Sequence, residues 1–261
     1  MMKLRPVLAV ALAALTAVNC FGWGKKGHDV TARIAECHLT AKTMQRVTAA
    51  LDGMSMVYWA NWLDDASNNI DGYKHTKTWH YKNVDEGQTY ESMPLSEKGD
   101  VVRAINEQAT RLRSGKLSHE EEALALKMLI HFVGDMHQPM HLGHLTDLGG
   151  NTIKVYYFGR ETNLHSVWDN DLPEAVHKWS YTEWQQQIDR LSDEECSRIA
   201  AGTPDDWARQ TLELSRRVYA MTPAGTRISY AYLVDAREIV ERQLEAGGLR
   251  LAWLLNSIYD K

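Results

Sequence analysis

A chain of 261 residues, 44% hydrophobic and 24% charged, has ordinary globular composition and suits one large domain or two small ones. Its 29 Lys+Arg against 34 Asp+Glu give a formal charge of −5, which excludes a broad basic surface of the kind that grips duplex DNA by releasing counterions. Three cysteines are too few for a disulfide scaffold, whereas eleven histidines are many for this length.

The chain opens with Lys3 and Arg5, an apolar run from Val7 to Val18, and Cys20-Phe21-Gly22, with small residues at the first and third places. This reads as a secretory signal peptide over 1–22, cleaved after Gly22, and the run is too short to span a bilayer. Cys20 raises a lipid anchor as the alternative, against which Asn19 argues. Cleavage of 22 residues from 261 leaves 239, a domain over 23–261 that begins at Trp23, and losing Lys3 and Arg5 takes the charge from −5 to −7. The protein is then expected to be secreted or periplasmic, with Cys37 and Cys196 in a compartment that permits a disulfide.

Helical periodicity dominates the chain from Trp23 onward. Val30, Ile34, Cys37 and Ala41 mark one apolar face of a helix from Gly27 to about Ala50. Ser118 and Glu121 form a capping box that opens an apolar-rich helix up to Pro139. Ile153, Val155 and Tyr157 alternate in one strand, Thr152 to Phe158, after the Gly149-Gly150-Asn151 turn. Thr203-Pro204 starts another helix, and a last one runs from about Ile228 to Tyr259, with Gly247-Gly248 as a bend or break. The expected fold is a single, mostly α domain with a small β-hairpin excursion and no membrane span.

The chemistry concentrates in His131-Phe-Val-Gly-Asp135-Met-His137-Gln-Pro-Met-His141. His131 and Asp135 stand four apart and share one helix face, Pro139 ends that helix, and His141 lies just beyond. His165 and Asp169 repeat the spacing, and His80 of Trp79-His80-Tyr81 adds a further imidazole. One such pair is ordinarily an exposed ion pair. Two pairs with further histidines suit Zn²⁺, and the absence of Cys favours an open, catalytic site over a structural one.

These motifs resemble those of the zinc-dependent single-strand-specific nucleases (the S-one/P-one type) over essentially the whole chain after residue 22. The family starts at a Trp whose amine and carbonyl bind metal, and Trp23-Gly-Lys-Lys-Gly-His28 fits that start. Trp62-Leu63-Asp64, His80, the His131–His141 block and Leu164-His165-Ser-Val-Trp-Asp169 fill the other ligand positions. The resemblance implies three Zn²⁺. Asp64, His80, His131 and Asp135 would hold one; Trp23, His28 and a bridging Asp135 a second; and His141, His165 and Asp169 a third. Asp64 and Asp135 would be the catalytic carboxylates, carrying a metal pair whose bridging hydroxide attacks phosphorus. The fold would be that of the zinc nuclease and phospholipase C type, and the activity endonuclease and 3′-nucleotidase, leaving 5′-phosphates.

The implied partners are single-stranded DNA or RNA and 3′-nucleotides, bound by a monomer with no membrane association. Tyr81, Asn83, Leu148 and Asn151 would bind the base, although Tyr81 and Leu148 taken alone read more readily as ordinary core packing. Two positions depart from the fungal pattern: Asn83 stands for Asp, and Ser67 for an Arg near the phosphate. Lys74, Lys77 or Lys82 would substitute for that Arg, or the metals would act unaided, and turnover would be slower. His38, His75, His119, His137, His144 and His177 fall outside the ligand pattern, with a supporting hydrogen bond the most expected of His137. The rival readings are a zinc-dependent phospholipase C, which ends its ligand set in Glu where this chain has Asp169, and a non-catalytic secreted zinc-binding module.

Overall fold

The computed structural model describes residues 23–94 and 96–260, so the expected signal peptide lies outside the described residues. The first expected helix is two, α1 (Lys25–Cys37) and α2 (Ala41–Ala50). Thr40 breaks the run: its backbone is extended and its hydroxyl accepts the Thr43 N–H, an N-cap that competes with continued helix. The side chain of Asn256, from the far end of the chain, then binds the exposed backbone on both sides, accepting Thr40 N–H at 3.0 Å and donating to His38 O at 2.9 Å.

Short helices α3 (Met56–Trp59) and α4 (Trp62–Asn69) lead into a 3₁₀ helix over Asp71–His80. After α5 (Val101–Arg113) comes α6 (His119–Met136), whose Ser118/Glu121 capping box forms as expected, with both reciprocal bonds present. From Met128 to Met136 every residue of α6 is buried, the mark of a helix surrounded by protein. A single 3₁₀ turn (Pro139–Leu142) follows it.

The expected strand is β1 (Lys154–Tyr157), paired antiparallel with β2 (Arg160–Asn163) and parallel with β3 (Arg227–Ile228). β2 has no apolar alternation and β3 has two residues, so neither carries a sequence signal. A broken helical stretch follows, α7 (Leu164–Ser166), a π turn (Val167–Asp171) and α8 (Leu172–Ala175). Four helices complete the chain: α9 (Tyr181–Ile188), α10 (Asp193–Ala200), α11 (Pro204–Met221) and α12 (Tyr230–Tyr259).

α12 corrects a second expectation, because it runs unbroken through Gly247-Gly248. These glycines serve contact. A Cβ on Gly248 would lie 2.5 Å from Ile34 Cβ, and one on Gly247 3.1 Å from Thr31 Cγ2, so their bare backbone lets α12 cross α1 closely. Two apolar clusters result, and α1 and α12 contribute to both: Leu251 and Leu255 pack with α5 and α6, while Val30, Ile34, Ile239 and Val240 pack with Trp23, Trp168 and Trp184. No helix among the described residues is long and apolar enough to cross a membrane. Cys37 and Cys196 are both free thiols.

Candidate metal centre

Helix α6 places His131 and Asp135 one turn apart, both fully buried. Ala60 O, which can only accept, takes the His131 Nδ1–H at 2.7 Å, so Nε2 carries the lone pair that faces Asp135. His80, at the end of the 3₁₀ helix, directs Nδ1 to the same point, and Asp64 arrives from the first turn of α4. The distances are His131 Nε2 to Asp135 Oδ2 3.2 Å, to Asp64 Oδ1 3.3 Å and to His80 Nδ1 3.2 Å. His80 Nδ1 lies 2.9 Å from Asp135 Oδ2 and 3.6 Å from Asp64 Oδ1. Four donors at 2.0–2.1 Å from a tetrahedral ion stand roughly 3.3 Å apart, so this donor set has the dimensions for Zn²⁺.

The other oxygen of Asp135, Oδ1, lies 3.4 Å from His28 Nε2 on α1. Asp135 thus presents one oxygen to each of two neighbouring donor groups. His28 stacks on His131 with centroids 4.2 Å apart, and Gly134 makes the space, since a Cβ there would meet His28 Nδ1 at 2.6 Å. Trp23 is fully buried at the start of α1, packed on Gly27, and Gly24 N–H donates to Asp169 O at 2.6 Å, which ties the N-terminal segment to the third group.

That third group is His141, His165 and Asp169. His141 Nδ1–H donates to His80 O at 2.5 Å and His165 Nδ1–H to Gly149 O at 2.7 Å, so each presents Nε2 inward. His165 Nε2 is 3.1 Å, and His141 Nε2 3.9 Å, from the Asp169 carboxylate. The π turn that carries Asp169 is a distortion often found at functional sites. All eight expected side-chain ligands are therefore buried and gathered into three groups.

The donor chemistry fits a metal. Both oxygens of Asp135, Oδ1 of Asp64 and both nitrogens of His28 are buried without a hydrogen-bond partner. Such groups are costly to bury unless a cation compensates them. Burial pushes the Asp135 carboxyl up, but the facing His131 and His80 outweigh it and hold it well below the usual carboxylate range. Asp64 is lowered against burial by the same two rings. In return, Asp135 and Asp64 overcome burial and raise His131 well above an ordinary imidazole. Asp169 moves the other way, because there burial exceeds the help from His165 and His141. The Asp64–Asp135 groups thus select a positive charge, which a divalent ion supplies by displacing protons.

Beside these groups lies a cavity of about 270 Å³. Tyr81, Asn83, Leu148 and Asn151, the four expected base-binding residues, all line it, together with His80 and His165. Leu148 is 50% exposed and so is not core. Its φ of +58° is a left-handed conformation that costs a non-glycine residue about 1 kcal/mol, strain typical of a binding loop. Asn83 donates its amide to His144 O at 3.0 Å, which leaves its carbonyl oxygen as an acceptor. Of the three lysines considered, Lys82 is buried against Asp100 at 3.3 Å and Lys74 pairs with Asp71 at 2.5 Å, whereas Lys77 lines the cavity.

Two contributors carry no ligand-type signal in the sequence. Gln138 donates to Asp169 Oδ1 while its own oxygen accepts Met140 N–H at 2.5 Å. Its place directly before the helix-ending Pro139 is the one available hint. Arg250, expected only as part of a core-facing helix, donates to His137 Nε2 at 2.9 Å. His137 Nδ1–H bonds Val133 O at 2.7 Å, and burial with the Arg250 charge pushes its pKa down to about 3. His137 is thus a neutral structural group beside Gln138, as its offset from Asp135 suggests. His144 stacks on Tyr219 and lies outside all three groups, and His119 is exposed against Asp52.

Comparison with known proteins gives the family. The family model described as S1/P1 Nuclease matches residues 23–260. Endonuclease 2 of Arabidopsis thaliana is 30% identical over 93% of this chain and 92% of its own length. Nuclease S1 of Aspergillus oryzae is 32% identical over 79% of this chain and 74% of its own, and Nuclease P1 of Penicillium citrinum is 27% identical over 91% and 98%. The buried His/Asp groups, the cavity beside them and a match from Trp23 nearly to the C-terminus lead to one assignment: the chain belongs to the S1/P1 nuclease family.

Proposed function

We propose that this protein is a zinc-dependent endonuclease and 3′-nucleotidase that hydrolyses phosphodiester bonds of single-stranded DNA and RNA to 5′-phosphate products. The observation that carries the reading is Asp135, fully buried and shared by two donor groups, beside a cleft lined by Tyr81, Asn83, Leu148 and Asn151. Three Zn²⁺ are assigned: one to Asp64, His80, His131 and Asp135, one to His28, Asp135 and the amine and carbonyl of Trp23, and one to His141, His165 and Asp169. Bound there, zinc supplies Lewis-acid charge for phosphoryl chemistry.

The chain's own groups do the rest. Ala60, His80 and Gly149 carbonyls fix the tautomers of His131, His141 and His165, so each offers Nε2 without reorganisation. Gln138 orients Asp169. Tyr81 and Leu148 offer apolar faces to an unpaired base, and stacking of this kind is worth about 1–3 kcal/mol without regard to sequence. A base inside a duplex offers no free face, which accounts for the single-strand preference. Asn83 adds an acceptor for a base N–H.

Removal of 1–22 would free the Trp23 amine, making cleavage an activation step and placing the enzyme outside the cytoplasm. The enzyme is proposed to act as a monomer. The test is turnover of zinc-loaded protein on single-stranded DNA, a 3′-mononucleotide and phosphatidylcholine, from mildly acidic to mildly alkaline pH. Cleavage of the first two is expected. Lipid cleavage without nucleolysis, or bound zinc with no phosphodiesterase activity, overturns the proposal.

A further inference from the structure

Two chemically different sets of residues line the cleft. In one, Asn83 is bonded to His144 O, and Leu145, Leu148 and Asn151 come from the loop that also supplies Gly149, the partner of His165. This set is apolar and amide-bearing. In the other are Ser67, Asn68 and Lys77, which neighbour Asp64 and His80 in the chain. Ser67 Oγ and Asn68 Nδ2 both donate to Asp64 O, at 3.2 and 2.8 Å, and neither side chain is charged. Lys77 is the cation of this set.

Its position comes from the 3₁₀ helix. With three residues per turn, residues i and i+3 eclipse, so Asp71, Lys74, Lys77 and His80 fall in one row. His80 ends the row as a buried ligand candidate, and Lys77 stands one turn back, exposed at the rim. Lys74 is spent on Asp71. Among the described residues, none makes an ion pair with Lys77.

We propose, resting on the nuclease reading, that Lys77 binds a phosphodiester that is not the one cleaved: the next phosphate of the strand, on the side of the scissile bond opposite the base held by Tyr81 and Leu148. The cleaved phosphate must reach the buried donor groups on the cleft floor. A lysine on the rim meets the strand as it leaves. A 3′-mononucleotide has nothing on that side, so Lys77 separates polymer cleavage from mononucleotide cleavage.

The experiment compares wild type, K77Q and K77R, all zinc-loaded, on a single-stranded DNA oligonucleotide and a 3′-mononucleotide across a NaCl series. For K77Q the ratio of oligonucleotide to mononucleotide kcat/KM falls by about ten-fold at low salt, through KM, as expected for one lost charge-assisted contact. The slope of log kcat/KM against log salt for the oligonucleotide becomes shallower by about 0.7, one phosphate contact on a single strand. K77R retains both values. An equal loss on both substrates, or an unchanged salt slope in K77Q, overturns the assignment of Lys77. Wild type inactive on both substrates overturns the nuclease reading itself, and the Lys77 role with it.

Discussion

Gly134→Ala tests how the centre is assembled. Gly134 sits on α6 between His131 and Asp135, and an added Cβ would lie 2.6 Å from His28 Nδ1 and 3.0 Å from His28 Cε1. Ordinary contact begins at 3.4 Å, so the ring must retreat by about 0.8 Å. It is buried and stacked on His131, and it stands 3.4 Å from Asp135 Oδ1, so any retreat opens the His28–Asp135 pair. Metal sites tolerate errors of about 0.2 Å in ligand distance, and the displacement is about four times that. Loss of the His28 ligand is expected to weaken one zinc by at least about 100-fold. Folding stability should change far less. Overpacking costs about 1–3 kcal/mol, while alanine in place of glycine returns about 1 kcal/mol of helix propensity. The assay is zinc titration against a chromophoric chelator, with turnover and urea unfolding of the metal-free protein alongside. Unchanged zinc affinity and turnover in G134A would refute the argument; so would metal-free protein destabilised by several kcal/mol, since the loss would then be global.

Asp135→Asn should lose at least one zinc and about 100-fold or more in turnover, because a neutral amide bridges two cations poorly; metal analysis and kinetics check both, and unchanged turnover removes the bridging role. Protein with residues retained before Trp23 should have lower activity than protein starting at Trp23, and full activity of an N-terminally tagged form contradicts the amine ligand. Glu245 carries a pH effect: burial, then the charges of Asp189, Glu195 and Glu241 against the help of His38, raise its pKa from 4.5 to about 7. The ionised form is disfavoured in the folded state, so stability is lost as pH rises from about 4.5 to about 7. Glu245→Gln should therefore stabilise the protein above pH 7 by about 1 kcal/mol, allowing for solvent at this half-buried group, and not at pH 4. Equal unfolding midpoints for the two proteins at pH 8 would contradict this.

The helices were legible because amphipathic period and caps are local: the Ser118 capping box and the Thr203-Pro204 start read directly from neighbouring residues. The His/Asp groupings were legible too, since His131/Asp135 and His165/Asp169 share a face by helical geometry alone. What failed was what depends on a distant partner. The break at Thr40 is completed by Asn256, and Gly247-Gly248 serves a crossing with Ile34 instead of a break. β2 and β3 exist as strands through pairing with β1, not through their own pattern.

Sequence by itself determined the residue types, and hence that a buried, carboxylate-rich imidazole centre was in prospect. Only the tertiary structure decided which nitrogen each histidine presents, because the carbonyls that fix Nδ1 come from Ala60, His80 and Gly149, far off in the chain. It also decided which lysine faces the cleft. Lys74 pairs with Asp71 one 3₁₀ turn away, a local contact, but that Lys82 is buried against Asp100 while Lys77 lines the cavity is a matter of three-dimensional proximity that no local pattern records.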